Sequence, residues 1–366
     1  MAYTGTAAHI YAAASGGPRG TGGLTQEQLS AIGNGIWLCA KCGRLVDTNE
    51  GNAYPASLLR SWRDLHEYRT RLEQGGYGRP AGWVQAIEIH EHFVIRPGAM
   101  RLSRGNLLGG MNATGKTQLL QLLRSMTAPQ PLMDGSKKLS CTISWFDPDR
   151  RTAKVGVVGR SLEYEIDGKR VPLPPHPYRV LDVHPSWPRP HQPGMGWLAD
   201  FLGVDEWTAG NVVSGMPEVM PDVFSHVLVT GDDIEVTYVE REEQEPASWR
   251  WMLFPFRALA VLAELQARAE PTILVLDDPF DHLHPLAVRE VMNVFDSPAL
   301  SFQTIIATHS PQAFAWAKRG WTATLLMPDG PHRSRISQDA ADIDALLEGR
   351  LSAEDLMAEW EGRTTG

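Results

Sequence analysis

The chain has 366 residues, of which 43% are hydrophobic and 21% charged, and its formal net charge at pH 7 is −9. This length and composition predict two or three domains with buried cores and exclude global disorder. The excess of acidic residues excludes a positive electrostatic field over the whole surface, but it is compatible with a local basic face. Three cysteines exclude a disulfide scaffold, and neither a secretory signal nor a membrane span is evident. We therefore expect a cytoplasmic protein with no membrane association.

The N-terminal part of the sequence is rich in glycine and ends in a predicted helix. Residues 12–24 are small and Gly-rich, and the block NGIWLCAKCGRLVD follows at 34–47. At 57–73, apolar residues recur at helical spacing between charges, which predicts an amphipathic helix. The segment GGYGRPAG at 75–82 then interrupts any regular element. We therefore predict four parts: an N-terminal module at 1–76, a linker at 77–83, a main domain at 84–345 and a helical tail at 346–366.

After the linker, predicted strands and helices alternate, which is the pattern of an α/β fold. The apolar runs TILVLDD at 272–278 and QTIIATHS at 303–310 are typical of strands buried on both faces of a parallel sheet. The basic stretch DRRTAK at 149–154 is interpreted as a hairpin turn. Further strands are predicted at 84–95, at 106–110 and at several places between 140 and 240, and helices at 117–126, near 195–203 and at 249–268.

A phosphate-binding pattern, GxxxxGK[ST], lies between the strand at 106–110 and the helix that follows it. In such a loop, backbone N–H groups point at the phosphates and glycines allow a close approach. Lys116 then reaches the β- and γ-phosphates, and the hydroxyl of Thr117 ligates Mg²⁺. The predicted ATP-binding residues are Gly110, Met111, Asn112, Ala113, Thr114, Gly115, Lys116, Thr117 and Gln118.

Further polar side chains follow the two buried strands. Asp277 and Asp278 end the run TILVLDD, and His309 comes directly after TIIAT. Because open α/β sheets bind ligands at the carboxyl ends of their strands, we expect these side chains beside the loop. Asp277 is the second predicted Mg²⁺ ligand, and Asp278 is placed to orient and polarise the attacking water. The predicted catalytic residues are Asp278, His309 and Lys116.

The segments GMNATGKT, LVLDDPFDHLHP and TIIATHSP resemble the motifs of the ABC-type ATPase superfamily. They are most similar to those of the SMC/RecF-like and overcoming-lysogenization-defect ATPases. The resemblance implies a two-lobed P-loop head that binds ATP with Mg²⁺ and dimerises with nucleotide at the interface. It also implies that Asp281 and His284 lie in the D-loop region and that His309 is the switch histidine near the γ-phosphate.

The sequence departs from this family in several places. Asp278 is one methylene shorter than the glutamate of transporters, so the attacking water must lie closer or turnover is slow. Only Ser248 remains of the signature motif expected before the helix at 249–268, which counts against a sandwich dimer. No Q-loop glutamine is evident. The stretch between Thr117 and Asp277 is too short for the coiled-coil arms of SMC proteins and contains no heptads.

The N-terminal module contains a CxxC motif, formed by Cys39 and Cys42. Such a pair binds Zn²⁺ when about two further ligands are close. The nearby candidates for those ligands are His9, His66 and Asp47. The other interpretation is a pair of small buried cysteines in a hairpin turn.

Ala8-His9-Ile10, the turn GGPRG at 16–20 and Asn34 before the CxxC together resemble an HNH-type nuclease module, which has an α+β (ββα-metal) fold. The resemblance implies that His9 is the general base and that Asn34 orients it. The third position of the motif is Gly43, which cannot bind metal. We therefore expect the module to keep the HNH shape with its nuclease chemistry weakened or lost. Such a module is expected to be a DNA-binding or partner-docking remnant. Active DNA cleavage and an unrelated structure are the other interpretations.

These features together predict an ATPase that converts ATP and water to ADP and phosphate and regulates a nucleic-acid-directed activity. The pairing of an ATPase with an HNH-like module resembles Septu-type antiphage systems, which implies an own or partner nuclease. The expected partners are DNA, further copies of the chain or a partner effector. The alternative is a RecF-like DNA repair or recombination ATPase without nuclease activity. A membrane-transporter subunit and a nucleotide-binding scaffold are the remaining hypotheses.

Overall fold

Two structural units follow one another along the chain in the computed structural model. The first unit ends with the long helix predicted at 57–73, and the second begins after residue 81. The residues that the structure describes are 5–14, 16–51, 54–74, 82–128, 138–147, 149–158, 161–183, 194–231, 233–239, 244–246, 253–281, 283–348 and 361.

The N-terminal unit is built on a two-stranded antiparallel hairpin. In chain order, its elements are β1 (Gly5–His9), α1 (Gln26–Ser30), β2 (Gly35–Cys39), α2 (Ala40–Val46) and α3 (Ala56–Gln74). Strands β1 and β2 pair so that Ala7 lies opposite Trp37. The small core includes Ile10, Ile36 and Leu59. Helix α3 confirms the amphipathic helix predicted at 57–73.

The second unit contains three sheets and seven α-helices within the described residues. In chain order, its elements are β3 (Val84–Glu91), β4 (Gly98–Arg101), β5 (Gly105–Gly110), α4 (Lys116–Ser125), β6 (Ser140–Asp147), β7 (Asp149–Val158), β8 (Ser161–Ile166), β9 (Lys169–Val171), β10 (Arg179–Val183), α5 (Met195–Leu202), α6 (Glu206–Val219), β11 (Phe224–Thr230), β12 (Asp233–Tyr238), β13 (Gln244–Pro246), α7 (Phe254–Ala267), β14 (Thr272–Asp277), α8 (Pro285–Phe295), β15 (Gln303–Ala307), α9 (Pro311–Phe314), β16 (Thr322–Pro328), β17 (Ser334–Ser337) and α10 (Ala340–Leu347).

The central sheet has six strands in the order β10-β14-β15-β5-β16-β17. Neighbouring strands from β10 to β16 pair in parallel, and β17 adds an antiparallel edge. A second six-stranded sheet, in the order β4-β3-β6-β7-β8-β9, is antiparallel throughout. A three-stranded antiparallel sheet has the order β11-β12-β13. The α/β class and the parallel sheet predicted from the sequence are thus confirmed.

The central sheet is buried on both faces. Leu107 and Ile306 point into a core that they share with helices α5 to α8, whereas Leu108 and Ile305 enter a second core with α4 and the antiparallel sheet. Each fully buried side chain of this size contributes about 1.5–3 kcal/mol through removal from water. This double burial explains why the sequence of these strands is apolar almost without interruption.

One prediction for the second unit needs correction. The stretch 149–154, predicted as a hairpin turn, belongs to strand β7, in which Asp149 pairs with Asp147 of β6. The segment is a strand because buried side chains alternate along it with more exposed ones: Ala153 and Val155 are fully buried against β6. Helices α6 and α8 lie where the sequence pattern predicts no element.

Several predicted features lie only partly within the described residues. The helix predicted at 249–268 is present as α7, whose described part begins at Phe254 and ends at Ala267. Ser248, linker residues 77–81 and most of the predicted tail lie outside the residues that the structure describes. Within the described part of the chain, no helix has the length and apolar character needed to cross a membrane.

A buried histidine supports the segment that leads from β3 towards the phosphate-binding pattern. His92 is 6% exposed, and its Nδ1 accepts hydrogen bonds from the N–H groups of Val94 (3.1 Å) and Ile95 (3.0 Å). Burial, helped by the positive charge of Arg333, lowers the pKa of His92 from 6.5 to about 4. The folded protein therefore holds this imidazole neutral where an unfolded chain would protonate it.

We expect the free energy of unfolding to fall as the pH drops from about 6.5 to about 4, because the unfolded state binds this proton first. The shift of the pKa of His92 corresponds to about 3 kcal/mol. The substitution His92→Asn keeps an acceptor near the position of Nδ1 and removes the titration. Urea unfolding between pH 4 and 7 should show a shallower pH dependence for this variant, and equal slopes would contradict the assignment.

Candidate nucleotide-binding site

The phosphate-binding pattern forms a tight turn between β5 and α4. Gly110 (φ 145°) and Gly115 (φ 106°) have positive φ angles that favour glycine. A Cβ atom on Gly110 would lie 2.7 Å from Thr114 Oγ1 and 2.9 Å from the carbonyl oxygen of Leu326. A side chain at either glycine would therefore be strained, which explains the two glycines of the pattern. Between them, Ala113 also has a left-handed conformation (φ 65°).

Lys116, the first residue of α4, folds back over the loop. Its ammonium Nζ donates to the carbonyl oxygens of Gly110 (2.9 Å) and Met111 (3.1 Å), and it lies 2.9 Å from Nε2 of His309. Burial lowers the pKa of this ammonium, and the carboxylates of Asp278 and other acids partly offset the effect. The loop thus holds a buried cation at its centre.

Thr117 and Asp277 bring two oxygen ligands together from distant parts of the chain. The Thr117 hydroxyl donates to Oδ2 of Asp277 at 2.8 Å, although 160 residues separate them. Asp277 ends β14, and Thr117 lies in the first turn of α4. A hydroxyl and a carboxylate side by side are the type of oxygen donors that Mg²⁺ prefers.

Asp278 has a strained backbone and an incompletely bonded carboxylate. Its φ is 47°, and its N–H donates to the carbonyl oxygen of Ala307 at 2.9 Å. One carboxylate oxygen, Oδ2, lies 3.4 Å from Nε2 of His309, whereas the buried Oδ1 has no hydrogen-bond partner within the described residues. Burial works to raise the pKa of Asp278, but the hydrogen bond and charge of His309 and the charge of Lys116 outweigh it and hold the pKa below its usual value.

Strained, non-glycine backbone of this kind is found at functional sites, where surrounding hydrogen bonds maintain it. The unpartnered Oδ1 of Asp278 is an acceptor that a water molecule beside the loop can satisfy. Together with the cation of Lys116 and the oxygen pair of Thr117 and Asp277, it forms a donor and acceptor set that fits a triphosphate with Mg²⁺.

The other predicted residues around the loop have different environments. Asn112 is exposed, and Thr114 is fully buried, with its hydroxyl bonded to the carbonyl oxygen of Met111. The side-chain Oε1 of Gln118 is buried without a partner among the described residues. His284, predicted in the D-loop region, caps helix α8 by accepting from the N–H of Leu286.

Two contacts that support the loop could not be predicted from any local sequence pattern. The hydroxyl of Ser334, on β17, donates to the carbonyl oxygen of Thr114 at 2.7 Å across a separation of 220 residues. A Cβ atom on Gly115 would lie only 3.0 Å from the side chain of Ile95, the residue whose N–H is held by His92. Residues outside the motif, Ser334 and Ile95, therefore help to hold the loop in its conformation.

The HNH-like residues His9 and Asn34 lie close along the β1–β2 hairpin, since His9 is opposite Gly35, the neighbour of Asn34. His9 is exposed at the end of β1. The Asn34 side chain is buried and bonded to backbone: Oδ1 accepts from the N–H of Tyr11 (2.9 Å), and Nδ2 donates to the carbonyl oxygens of Tyr11 (2.9 Å) and Leu29 (3.0 Å). The structure thus gives Asn34 a role in holding the backbone, and these hydrogen bonds do not include the His9 side chain.

The cysteine pair lies at the junction of β2 and α2. Cys39 is exposed and caps α2, because its Sγ accepts from the N–H of Cys42 at 3.4 Å, and this bond lowers the pKa of the Cys39 thiol. The alternative interpretation of two small buried cysteines is therefore wrong, because Cys39 is exposed and Cys42 is half-buried. Within the part of the chain that the structure describes, no three His, Cys, Asp or Glu side chains form a group that holds a metal ion. The predicted Zn²⁺ site finds no support there.

Comparison with known families finds a match for part of the second unit. Residues 180–315 match the family described as "AAA domain, putative AbiEii toxin, Type IV TA system". The matched segment includes strands β14 and β15. The matched segment contains Asp277, Asp278 and His309, and the loop at 110–117 precedes it.

Comparison with solved structures finds similar folds of low sequence identity. The SMC head domain from Thermotoga maritima is 12% identical, with a TM-score of 0.47, and the match covers 69% of this chain and 98% of that one. An Smc head domain from Pyrococcus furiosus, bound to the C-terminal domain of ScpA, is 10% identical (TM-score 0.43; 74% and 100% covered). The recombination mediator protein RecF with ATP is 11% identical (TM-score 0.38; 63% and 94% covered). No curated protein matches the sequence.

Replacing Lys116 with alanine should weaken ATP binding by at least about tenfold, because hydrogen bonds to a charged partner contribute about 1.5–3 kcal/mol. Isothermal titration calorimetry with ATP and Mg²⁺ measures the change. The matched control is Lys318→Ala, which removes an exposed lysine that lies 3.9 Å from Asp344. Equal affinities for the Lys116 variant and the control would show that this loop is not the nucleotide site.

Proposed function

We propose that the chain binds ATP with Mg²⁺ and hydrolyses it to ADP and phosphate, as an ATPase of the SMC/RecF-like type. The observation that carries this proposal is a set of three side-chain contacts at one sheet edge: Thr117 with Asp277 (2.8 Å), Lys116 with His309 (2.9 Å) and His309 with Asp278 (3.4 Å). These five residues come from three separate stretches of the chain, and a purely structural role does not require all of these chemical types at one sheet edge.

Each residue has a definite task in this proposal. Bound Mg²⁺ supplies positive charge that stabilises the β- and γ-phosphates. Thr117 and Asp277 hold that ion, and Lys116 exchanges the loop carbonyls for phosphate oxygens. Asp278 accepts a hydrogen bond from the attacking water and orients it, and His309 keeps the carboxylate in place through its contact at 3.4 Å.

The substitution Asp278→Asn tests hydrolysis separately from binding. The variant keeps the shape of the side chain and removes the charge that polarises the water, so we expect the rate of phosphate release to fall at least about a hundredfold. ATP affinity should be retained, and the nucleotide should be recovered uncleaved.

The control for this test is Glu290→Gln, which neutralises an exposed acid on α8. Steady-state phosphate release and binding of labelled ATP are measured for both variants. An unchanged rate of phosphate release in Asp278→Asn would remove Asp278 from the mechanism.

We further propose that the nucleotide state regulates a nucleic-acid-directed activity in antiphage defence, exerted by the N-terminal unit or by a partner HNH nuclease. The direct contact of the two units supports this proposal, since Arg60 of α3 donates to the carbonyl oxygen of Arg319 in the ATPase domain. DNA, further copies of the chain and a partner effector in the cytoplasm are the proposed partners.

The second candidate is a RecF-like DNA repair or recombination ATPase that cleaves nothing. It is favoured by the absence of a metal-holding group of His, Cys, Asp and Glu side chains in the described residues. It is also favoured by the engagement of Asn34 with backbone. Under this alternative the N-terminal unit binds DNA or a partner protein.

Plasmid nicking with Mg²⁺ or Mn²⁺ distinguishes the two candidates. If His9 is a general base, His9→Ala should reduce nicking at least about a hundredfold without changing ATP hydrolysis. His226→Ala, which removes an exposed histidine of β11 in the other unit, is the control. Equal nicking by the wild type and His9→Ala would end the nuclease hypothesis, and ATP hydrolysis that duplex DNA stimulates without nicking would favour the alternative.

A further inference from the structure

A cavity of about 300 Å³ lies between the two units, apart from the nucleotide-binding loop. Helix α3 forms one wall, to which it contributes Arg60 and Arg63. Residues at the beginning of β5 and in the segment after α9 form the other, with Arg104 and Arg319. The loop that starts at Gly110 is at the opposite end of β5, so the cavity is a separate site.

The acidic side chains of the cavity wall already have ion-pair or hydrogen-bond partners. Asp64 is bound by Arg63, whose Nη2 lies 2.8 Å from Oδ1, and it also lies 3.7 Å from Arg104. Asp296 accepts a hydrogen bond from the indole N–H of Trp321 at 2.7 Å. Glu67, the third acid of the lining, lies 3.8 Å from Nε of Arg63. These three carboxylates therefore do not neutralise all four arginines that line the cavity.

Two of the four arginines have no acidic partner. Within the described residues, neither Arg60 nor Arg319 has a carboxylate oxygen within 4.0 Å. The charges of Arg104, Arg319 and Arg60 all lower the pKa of Asp296, although burial raises it overall. Four arginines and three acids line the cavity, which leaves one positive charge in excess, on the side of Arg60 and Arg319.

Two buried donors in this wall also lack acceptors. Trp83 is 3% exposed, and its indole N–H has no partner among the described residues. The Nε of Arg60 is buried and has none either, although another nitrogen of the same guanidinium donates to the carbonyl oxygen of Arg319. Buried donors without acceptors are rare in folded proteins and require an explanation. Both groups are N–H donors, so the missing partner is an acceptor.

We propose that this cavity binds a small phosphorylated molecule, whose phosphate is held by Arg60 and Arg319 and accepts a hydrogen bond from the indole N–H of Trp83. A guanidinium group matches phosphate in charge and geometry. The volume of about 300 Å³ is at the lower end for ligand sites, which limits the ligand to about the size of a mononucleotide. The site takes its residues from both units, so the ligand stabilises their contact. This inference is independent of the proposed ATPase activity.

The test uses the full chain with Lys116→Ala, in which the P-loop competes less strongly for phosphates. Pyrophosphate, a nucleoside monophosphate and an oligonucleotide are titrated by isothermal calorimetry at constant ionic strength. We expect saturable binding of one molecule per chain for pyrophosphate or the monophosphate. Adding Arg60→Gln should weaken it at least about tenfold, and Trp83→Phe, which keeps the ring and removes the donor, about threefold or more.

Three controls make the outcome decisive. Arg289→Gln removes an exposed arginine that pairs with Glu290 and should leave binding unchanged. Arg60→Lys keeps the charge and should recover part of the affinity. Circular dichroism and thermal unfolding show whether each variant is folded, and Trp83→Phe remains informative if Arg60→Gln is not.

The proposal is overturned by any of three results. These are no saturable binding of pyrophosphate or the monophosphate, unchanged affinity in both Arg60→Gln and Trp83→Phe, and binding only of the oligonucleotide. The last result would assign the positive charge to a nucleic-acid surface. Because the titration is done with Lys116→Ala, failure here leaves the ATPase proposal untouched, and a wild type that does not bind ATP leaves this proposal untouched.

Discussion

The nucleotide site depends on the register in which three parallel strands of the central sheet pair. Asp277 lies opposite Ala307, and Ala307 in turn lies opposite Leu108. Asp277 and Ala307, the last residues of β14 and β15, therefore lie level with Leu108, two residues before the end of β5. This register brings Asp277 within reach of Thr117 and places His309 over the loop. A shift of one residue in either pairing would turn alternate side chains to the opposite face of the sheet. Such a shift would also displace side chains that fill two closely packed cores, which costs stability.

The same feature explains why so much of the site could be predicted from the sequence. The loop at 110–117, the acids after β14 and His309 after β15 are each contiguous patterns that follow an apolar strand. A strand buried on both faces is recognisable because almost all its residues are apolar. Parallel pairing then brings the strand ends to one edge without any further information. The contacts of Lys116 with His309 and of Thr117 with Asp277 agree with that expectation.

What the sequence could not predict are contacts that depend on packing between distant segments. Ser334 supports the loop through a single hydrogen bond from β17, and serine is too common on strand edges to be a signal. Asn34 is the opposite case, because a motif-based interpretation made it a catalytic partner of His9. In the structure it satisfies the backbone of Tyr11 and Leu29 inside a small core, where unbonded backbone groups would cost stability. The hydrogen bonds of a motif residue in a small core therefore have to be known before a catalytic role is assigned to that residue.

The path from the nucleotide site to the N-terminal unit is short along the chain. His309 is followed by α9 and then by a 3₁₀ turn that ends at Arg319, whose carbonyl oxygen accepts from Arg60 of α3. The other path follows β5, which is buried on both faces and paired on both edges, so it moves only together with the whole sheet. The segment from His309 to Arg319 therefore connects the nucleotide site to the contact with α3. Ala313, Phe314 and Trp316 in this segment are buried in the main core, so it too moves only together with the side chains packed around it.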